Sequence, residues 1–239
     1  MLIKVFVLGR PGSGKTTAFR RISALLNDKG WPITRIRDYG ILQGMSRHEI
    51  EGKKFRPADH GGFDVVDFSV LDNALVEVER QVRLRMLTVK EKELIVVEFA
   101  RSDYKTGLEP FSPEFLQDVH MLFIDADVET CIQRVHQRVA NGMVADSHFV
   151  SDHILRGYYG NDNRPYMKYL AELSAEAQRE GKNTTGVVQC IENTGSLDDF
   201  HTAIDDFITA VVEQEKGTCN LKEILEFPGS IKKNELIKQ

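Results

Sequence analysis

Gly9-Arg10-Pro11-Gly12-Ser13-Gly14-Lys15-Thr16 is the stretch on which the fold turns. It follows an apolar run, Leu2-Ile3-Lys4-Val5-Phe6-Val7-Leu8, and opens a pattern with Phe19, Ile22, Leu25 and Leu26 at helical spacing. Strand, glycine-rich turn and helix in that order are the setting in which G-x-x-x-x-G-K-[ST] holds phosphate. The glycines let successive backbone N–H groups turn inward around an anion, because no Cβ obstructs the angles required. The helix N-terminus adds unpaired N–H groups and partial positive charge. Lys15 then reaches the β- and γ-phosphates, and the Thr16 hydroxyl reaches Mg²⁺. Gly9, Pro11, Gly12, Ser13, Gly14, Lys15, Thr16 and Thr17 are the donor-binding candidates.

Working outward, 239 residues suit one α/β domain with insertions, or at most two small domains. Hydrophobic content of 41% and charged content of 28% are ordinary for a globular chain. The net charge of −5 argues against a nucleic-acid binder that works by neutralising phosphates. Cys131, Cys190 and Cys219 are odd in number and widely spaced; the first two fall inside apolar patterns and read as small core residues of a reducing compartment. The chain opens directly in its first strand, leaving no room for a signal peptide, and no apolar run approaches the ~20 residues of a membrane span. The expectation is a cytoplasmic protein without a membrane or nucleic-acid partner.

Further along, Gly30-Trp31-Pro32 ends the first helix and Ile33-Thr34-Arg35-Ile36-Arg37 alternates as a short strand. It ends in Asp38-Tyr39-Gly40. Residues 43–67 are polar and long for a connection, which points to a substrate-covering insertion. A helix is expected from about Asp67 to Val89 with Leu71, Leu75, Val78, Val82, Met86 and Val89 on one stripe. Leu94-Ile95-Val96-Val97 reads as a buried parallel strand ending in Glu98-Phe99-Ala100-Arg101. Ser112 and Pro113 start a short helix. Met121-Leu122-Phe123-Ile124 is a strand ending in Asp125, and the helix after it carries Arg134 and Arg138, four apart, at the edge of its apolar stripe. Residues 141–164 read as a flap or lid, about 162–180 as a long helix, 186–191 as the last strand, and Leu197 to Val211 as the final helix. Lysines accumulate in a loosely attached tail, 217–239, after a domain spanning 1–216.

Strands alternating with helices imply a parallel sheet with right-handed crossovers and helices on both faces. Ligands of such sheets bind beyond the carboxyl ends of the strands. The phosphate loop, Asp38, Glu98, Arg101 and Asp125 therefore all face one crevice.

Four stretches carry a family resemblance: Gly9 to Thr16, Val96 to Arg101, Phe123 to Arg138, and Ile191-Glu192-Asn193-Thr194-Gly195-Ser196-Leu197. Over residues 1–214 the chain resembles the P-loop small-molecule kinases of the adenylate kinase and shikimate kinase type. The resemblance implies a three-layer P-loop NTPase fold, five parallel strands in the order 2-3-1-4-5, ATP with Mg²⁺, and a lid that closes during turnover. Glu98 and Ala100 replace the Gly and Pro of the nucleoside monophosphate kinase segment, and Glu98-Phe99-Ala100-Arg101-Ser102 is closer to the E-R-S-like stretch of deoxynucleoside kinases. Asp38 is similar to the acidic residue of shikimate kinases and zeta-toxin-like kinases, which phosphorylate hydroxyls.

Phosphoryl transfer depends on positioning and charge stabilisation. Lys15, Asp38, Glu98, Arg101, Arg134 and Arg138 are the catalytic candidates. Glu98 can join Thr16 in ordering Mg²⁺ or accept a hydroxyl proton; the plain alternative is a pair with Arg101. Asp38 is either a general base or a turn residue. Arg101 can clamp an anionic acceptor. Arg134 and Arg138 either neutralise the transferring phosphoryl, as lid arginines do, or are a solvated helix edge. Asn193 and Gly195 are expected to approach adenine through backbone. The reading is ATP-dependent transfer to a nucleoside monophosphate or nucleoside-like acceptor, with a metabolite hydroxyl as the alternative. An ATP-binding switch without turnover is the reading from another class; no N/T-K-x-D guanine motif supports a GTPase.

Overall fold

The computed structural model describes residues 2–89, 92–142, 149–161, 164–180 and 186–214. The tail 217–239 with Cys219, and parts of the expected lid including His148, lie outside the described residues.

Strand β1 (Leu2–Leu8) is the middle of a five-stranded sheet, β2-β5-β1-β6-β7, with β2 Ile33–Arg37, β5 Glu93–Phe99, β6 Val119–Asp125 and β7 Val188–Glu192. Every pairing in it is parallel. The order's numbering differs from the expected 2-3-1-4-5 because a separate hairpin, β3 (Phe55–Pro57) with β4 (Phe63–Val65), takes two numbers; the sheet strands by themselves run second, third, first, fourth, fifth.

Successive residues of a strand point to opposite faces, so β1 feeds two cores. Phe6 and Leu8 join Val97, Phe99 and Phe123 under α3 (Ser69–Met86) and α8 (Arg164–Arg179). Val5 and Val7 join Val96 and Leu122 under α1 (Lys15–Asn27) and α9 (Leu197–Gln214). A strand buried on both faces has no polar face to show, which is why these segments read as continuous apolar runs. At the end of α1, Gly30 takes φ +68° and Trp31 N–H donates back to Leu26 O at 3.0 Å, capping the helix and turning Trp31 into the core.

Residues 43–67 are less uniform than their composition suggests. Helix α2 (Asp38–His48) starts directly at the end of β2, and only after it does the chain form the β3–β4 hairpin around a 3₁₀ turn, Asp59–Gly61. Helix α3 starts two residues later and stops three residues earlier than expected, leaving Met86 exposed past the edge of the core. Short helices α4 (Tyr104–Gly107) and α5 (Pro113–Leu116) precede β6, with the Ser112 hydroxyl capping α5 by accepting from Phe115 N–H at 3.3 Å. Helix α6 (Val128–Ala140) follows β6, and the flap region contributes α7 (Asp152–Gly157). Among the described residues no helix is long and apolar enough to cross a membrane.

His120 on β6 is a buried titratable group away from the crevice. Its Nδ1 accepts from Val187 N–H at 3.0 Å, and burial, followed by the neighbouring Lys4 charge, pushes its pKa down to about 4. The folded chain therefore binds fewer protons than the unfolded chain from the unfolded value of 6.5 down to about 4. Stability falls as pH drops through that window, by about 1.4 kcal/mol per unit. His120→Asn retains an acceptor for Val187. Urea unfolding at neutral pH and near the lowered pKa will show a smaller acid loss for the variant than for the parent chain; equal losses would refute this.

Candidate active site

The carboxyl ends of the strands meet in register. Leu8 lies beside both Phe99 and Phe123, Arg37 beside Glu98, and Asp125 beside Glu192. The phosphate loop leaves β1 at this edge and enters α1 at Lys15. Two of its glycines are needed for their shape. Gly12 takes φ +91°, and a Cβ there would sit 2.5 Å from Cys131 O on α6. Gly14 takes φ +114°, and a Cβ there would sit 2.3 Å from Asn193 Nδ2. Either substitution meets both left-handed strain and a clash.

Several side chains hold the loop from outside. Asn193 donates from Nδ2 to Ser13 O at 2.7 Å, and Arg134 donates to Asn193 O at 2.8 Å and to Ser13 O at 3.4 Å. Both residues thus act on the loop itself. Asn193 does so through its side chain, where a backbone approach to adenine was expected. Gly195 is exposed and lines a second, more open cavity of ≈520 Å³ with Gly12, Gly14, Thr17, Arg134, Arg138 and Asn193. The Tyr104 hydroxyl accepts from Gly9 N–H at 2.7 Å. Arg10 is buried and donates to three carbonyls, Ala126 O at 2.7 Å, Tyr159 O at 2.7 Å and Gly160 O at 3.0 Å. Neither Arg10 nor Tyr104 is marked by spacing in the sequence; only their contacts across the chain reveal them.

Lys15 folds back on the loop, donating to Gly9 O at 2.7 Å and Arg10 O at 2.8 Å. Its pKa is lowered, first by burial, while Glu98 and Asp38 oppose that loss through their charge. Both carboxylates therefore act electrostatically on the ammonium from across the crevice.

Beside the loop lies a cavity of ≈320 Å³, lined by Pro11, Lys15, Thr16 and Thr17 on one side and by Asp38, Glu98 and Arg138 on another. Its far wall is largely apolar and aromatic, Leu42, Phe63, Val65, Phe68 and Leu71, closed by Val150, Ile154 and Tyr159 of the flap region, while Arg20, Arg37 and Asp64 add charge to the lining. Tyr39 stacks on Phe63 with ring centroids 5.4 Å apart, and Phe68 stacks on Tyr158 at 4.1 Å. Hairpin and flap are tied together by Asp64, which accepts from Ser151 Oγ at 2.7 Å. The stretch 43–67 thus contributes to this wall through its hairpin.

Arg101 is placed differently from its expected role. It is 2% exposed and donates to Asp38 at 2.9 Å, to Ala100 O at 2.6 Å and to Leu71 O at 2.5 Å. Its side chain lies behind Asp38, outside the cavity lining, so it neither faces an acceptor nor pairs with Glu98. Asp38 is the first residue of α2 and buried; burial raises its pKa and the Arg101 guanidinium opposes that shift. Arg138 reaches both cavities, and burial lowers its pKa. Arg164, at the end of the expected lid, binds Asp125 at 2.6 Å and fixes the end of β6.

The metal pair expected from the sequence also needs correction. Arg35 on β2 donates from Nε and Nη2 to Glu98 Oε2, at 3.0 and 2.5 Å, and from Nη2 to the Thr16 hydroxyl at 3.0 Å. The two side chains assigned to Mg²⁺ are thus already bridged by a guanidinium. As arranged, Thr16 and Glu98 do not fit a magnesium ion.

No protein-family model and no curated protein matches the chain. Among solved structures it is similar to an APS kinase of Mycobacterium tuberculosis in complex with AMPPNP and APS, at 11% identity and TM-score 0.47, over 87% of this chain and 97% of that one. It is also similar to a gluconokinase from Sinorhizobium meliloti, at 15% identity and TM-score 0.42, over 90% and 95% of the two chains. A shikimate kinase from Acinetobacter baumannii in complex with shikimate gives 18% identity and TM-score 0.41, over 88% and 94%. At such identities and TM-scores these likenesses decide nothing about the reaction.

Proposed function

We propose that this chain is a phosphotransferase that moves the γ-phosphoryl group of ATP to a hydroxyl of a small, uncharged acceptor with a flat apolar body, a nucleoside-like compound being the nearest class. One observation carries this reading: Asp38, buried and with a raised pKa, lines the crevice between the phosphate loop and the aromatic wall. A carboxylate there can accept a hydroxyl proton, and a raised pKa makes it a stronger base near neutrality. Donor phosphates are held by the loop N–H groups and by Lys15, which exchanges its two loop carbonyls for phosphate oxygens. Arg138 supplies positive charge to the transferring group from the opposite side.

A nucleoside monophosphate fits less well. Its phosphate would want a bidentate arginine on the acceptor side, and Arg101, the residue expected there, is committed to Asp38. The acceptor side instead offers two carboxylates, Asp38 and Asp64, against the single guanidinium of Arg37 beside Tyr39, set among aromatic rings.

The test is ATP consumption against a panel of nucleosides, nucleoside monophosphates and small hydroxyl metabolites, with nucleotide binding measured in parallel. The expected result is turnover with neutral hydroxyl compounds and little with monophosphates. Preference for monophosphates would overturn the acceptor class. Binding of ATP with no turnover on any compound would instead support a regulatory nucleotide-binding module.

A further inference from the structure

The bridge between Thr16 and Glu98 has consequences for how the donor is bound. Arg35 and Arg37 stand two apart on β2 and so share a face of the sheet, and Glu98 lies directly across from Arg37. Glu98 is thus diagonal to Arg35, within reach of a long side chain. The guanidinium uses Nε and Nη2 on one carboxylate oxygen, spends Nη2 on Thr16 as well, and lies over the Phe19 ring at 4.4 Å. Its side chain is 9% exposed. A strand, a carboxylate, a hydroxyl and an aromatic face together fix it, and a planar fork loses little freedom in such a seat.

We infer that Arg35 is a built-in counter-cation occupying the position between Thr16 and Glu98, and that the chain binds nucleoside triphosphate with little help from a divalent metal. A metal ligated by Glu98 Oε2 would have to break both of its bonds to Arg35, take the Thr16 hydroxyl, and then tolerate a displaced guanidinium beside it. Metal-free triphosphate carries more negative charge than its magnesium complex. Lys15, Arg35 and Arg138 together supply cations around the loop to meet that charge. The inference concerns binding alone and stands apart from the phosphotransfer reading.

The experiment is calorimetric titration of the chain with AMPPNP, in Mg²⁺ and in EDTA, for the parent, Arg35→Gln and Arg35→Lys. The parent is expected to change affinity by less than about threefold on removing the metal, because its own cation stays in place. Arg35→Gln is expected to lose about tenfold or more in EDTA and to regain most of it in Mg²⁺, with Arg35→Lys between, since lysine keeps the charge but not the fork. A parent chain that gains about tenfold or more from Mg²⁺ overturns the inference, and so does an equal Mg²⁺ ratio in the parent and Arg35→Gln. A measurement on the parent alone covers the case in which the variants do not fold. The two proposals fail separately. Metal-indifferent AMPPNP binding without turnover on any acceptor refutes phosphotransfer and supports Arg35, whereas turnover with metal-dependent binding does the reverse. Absence of AMPPNP binding in both conditions overturns both.

Discussion

Asp38→Asn will lower kcat/KM for the phosphoryl acceptor by about 10²–10⁴-fold, the range a positioned general base contributes. Asparagine keeps the size of the side chain and can still receive a hydrogen bond from Arg101, so the acceptor seat survives while the proton acceptor is lost. The pH profile separates this from a loss of shape. Burial, opposed by Arg101, holds the Asp38 pKa above the ordinary carboxylate value of 3.8. The parent's rate therefore falls as pH drops through a limb lying above that value, where the carboxylate takes up a proton. The variant's residual rate will lack that limb. A loss of less than about tenfold, with the limb intact, would move the base to Glu98.

Arg101→Met will destabilise the fold by about 3–5 kcal/mol, because removing one partner of a buried ion pair leaves the other charge uncompensated. The arginine is enclosed by Phe99, Gly107 and the Leu71 carbonyl, and its departure strands Asp38. Burial is then opposed at Asp38 by the Lys15 charge alone, its pKa rises further, and the acid limb of the rate moves to higher pH. The double variant Asp38→Asn with Arg101→Met carries no stranded charge and is expected to recover part of the lost stability in urea unfolding. Equal costs for the single and double variants would mean that Arg101 contributes packing alone. A shift of the limb without change in acceptor KM marks Arg101 as a positioning residue, in place of the anion clamp read from its sequence position.

What the sequence made legible was whatever depends on near neighbours along the chain. The loop, its strand and its helix could be read because four fixed positions and a change of apolar period lie within one stretch. The strand ends followed from topology, and with them the crevice that contains Asp38 and Glu98. Pairings over long separations were not legible. Arg35 with Glu98 and Arg101 with Asp38 each join residues 63 positions apart. Nothing in local spacing says that the cation of β2 answers the carboxylate of β5, or that the cation after β5 answers the carboxylate after β2. The hairpin was hidden for another reason. Its strands are three residues each, too short to establish an alternation.

Arg10 has a consequence for how the molecule comes apart. One guanidinium joins the phosphate loop, the end of β6 and the turn after α7 through three carbonyls. Segments that share such a strap cannot open independently, because releasing one leaves a buried cation without its acceptors. Amide hydrogen exchange in the Ile154–Gly160 stretch should therefore rise and fall with that of the loop as one opening unit, although the two are about 150 residues apart. Arg10→Gln is expected to uncouple them, speeding exchange in the turn well before the loop. If the two segments already exchange at unrelated rates in the parent chain, the strap does not set the unit of opening.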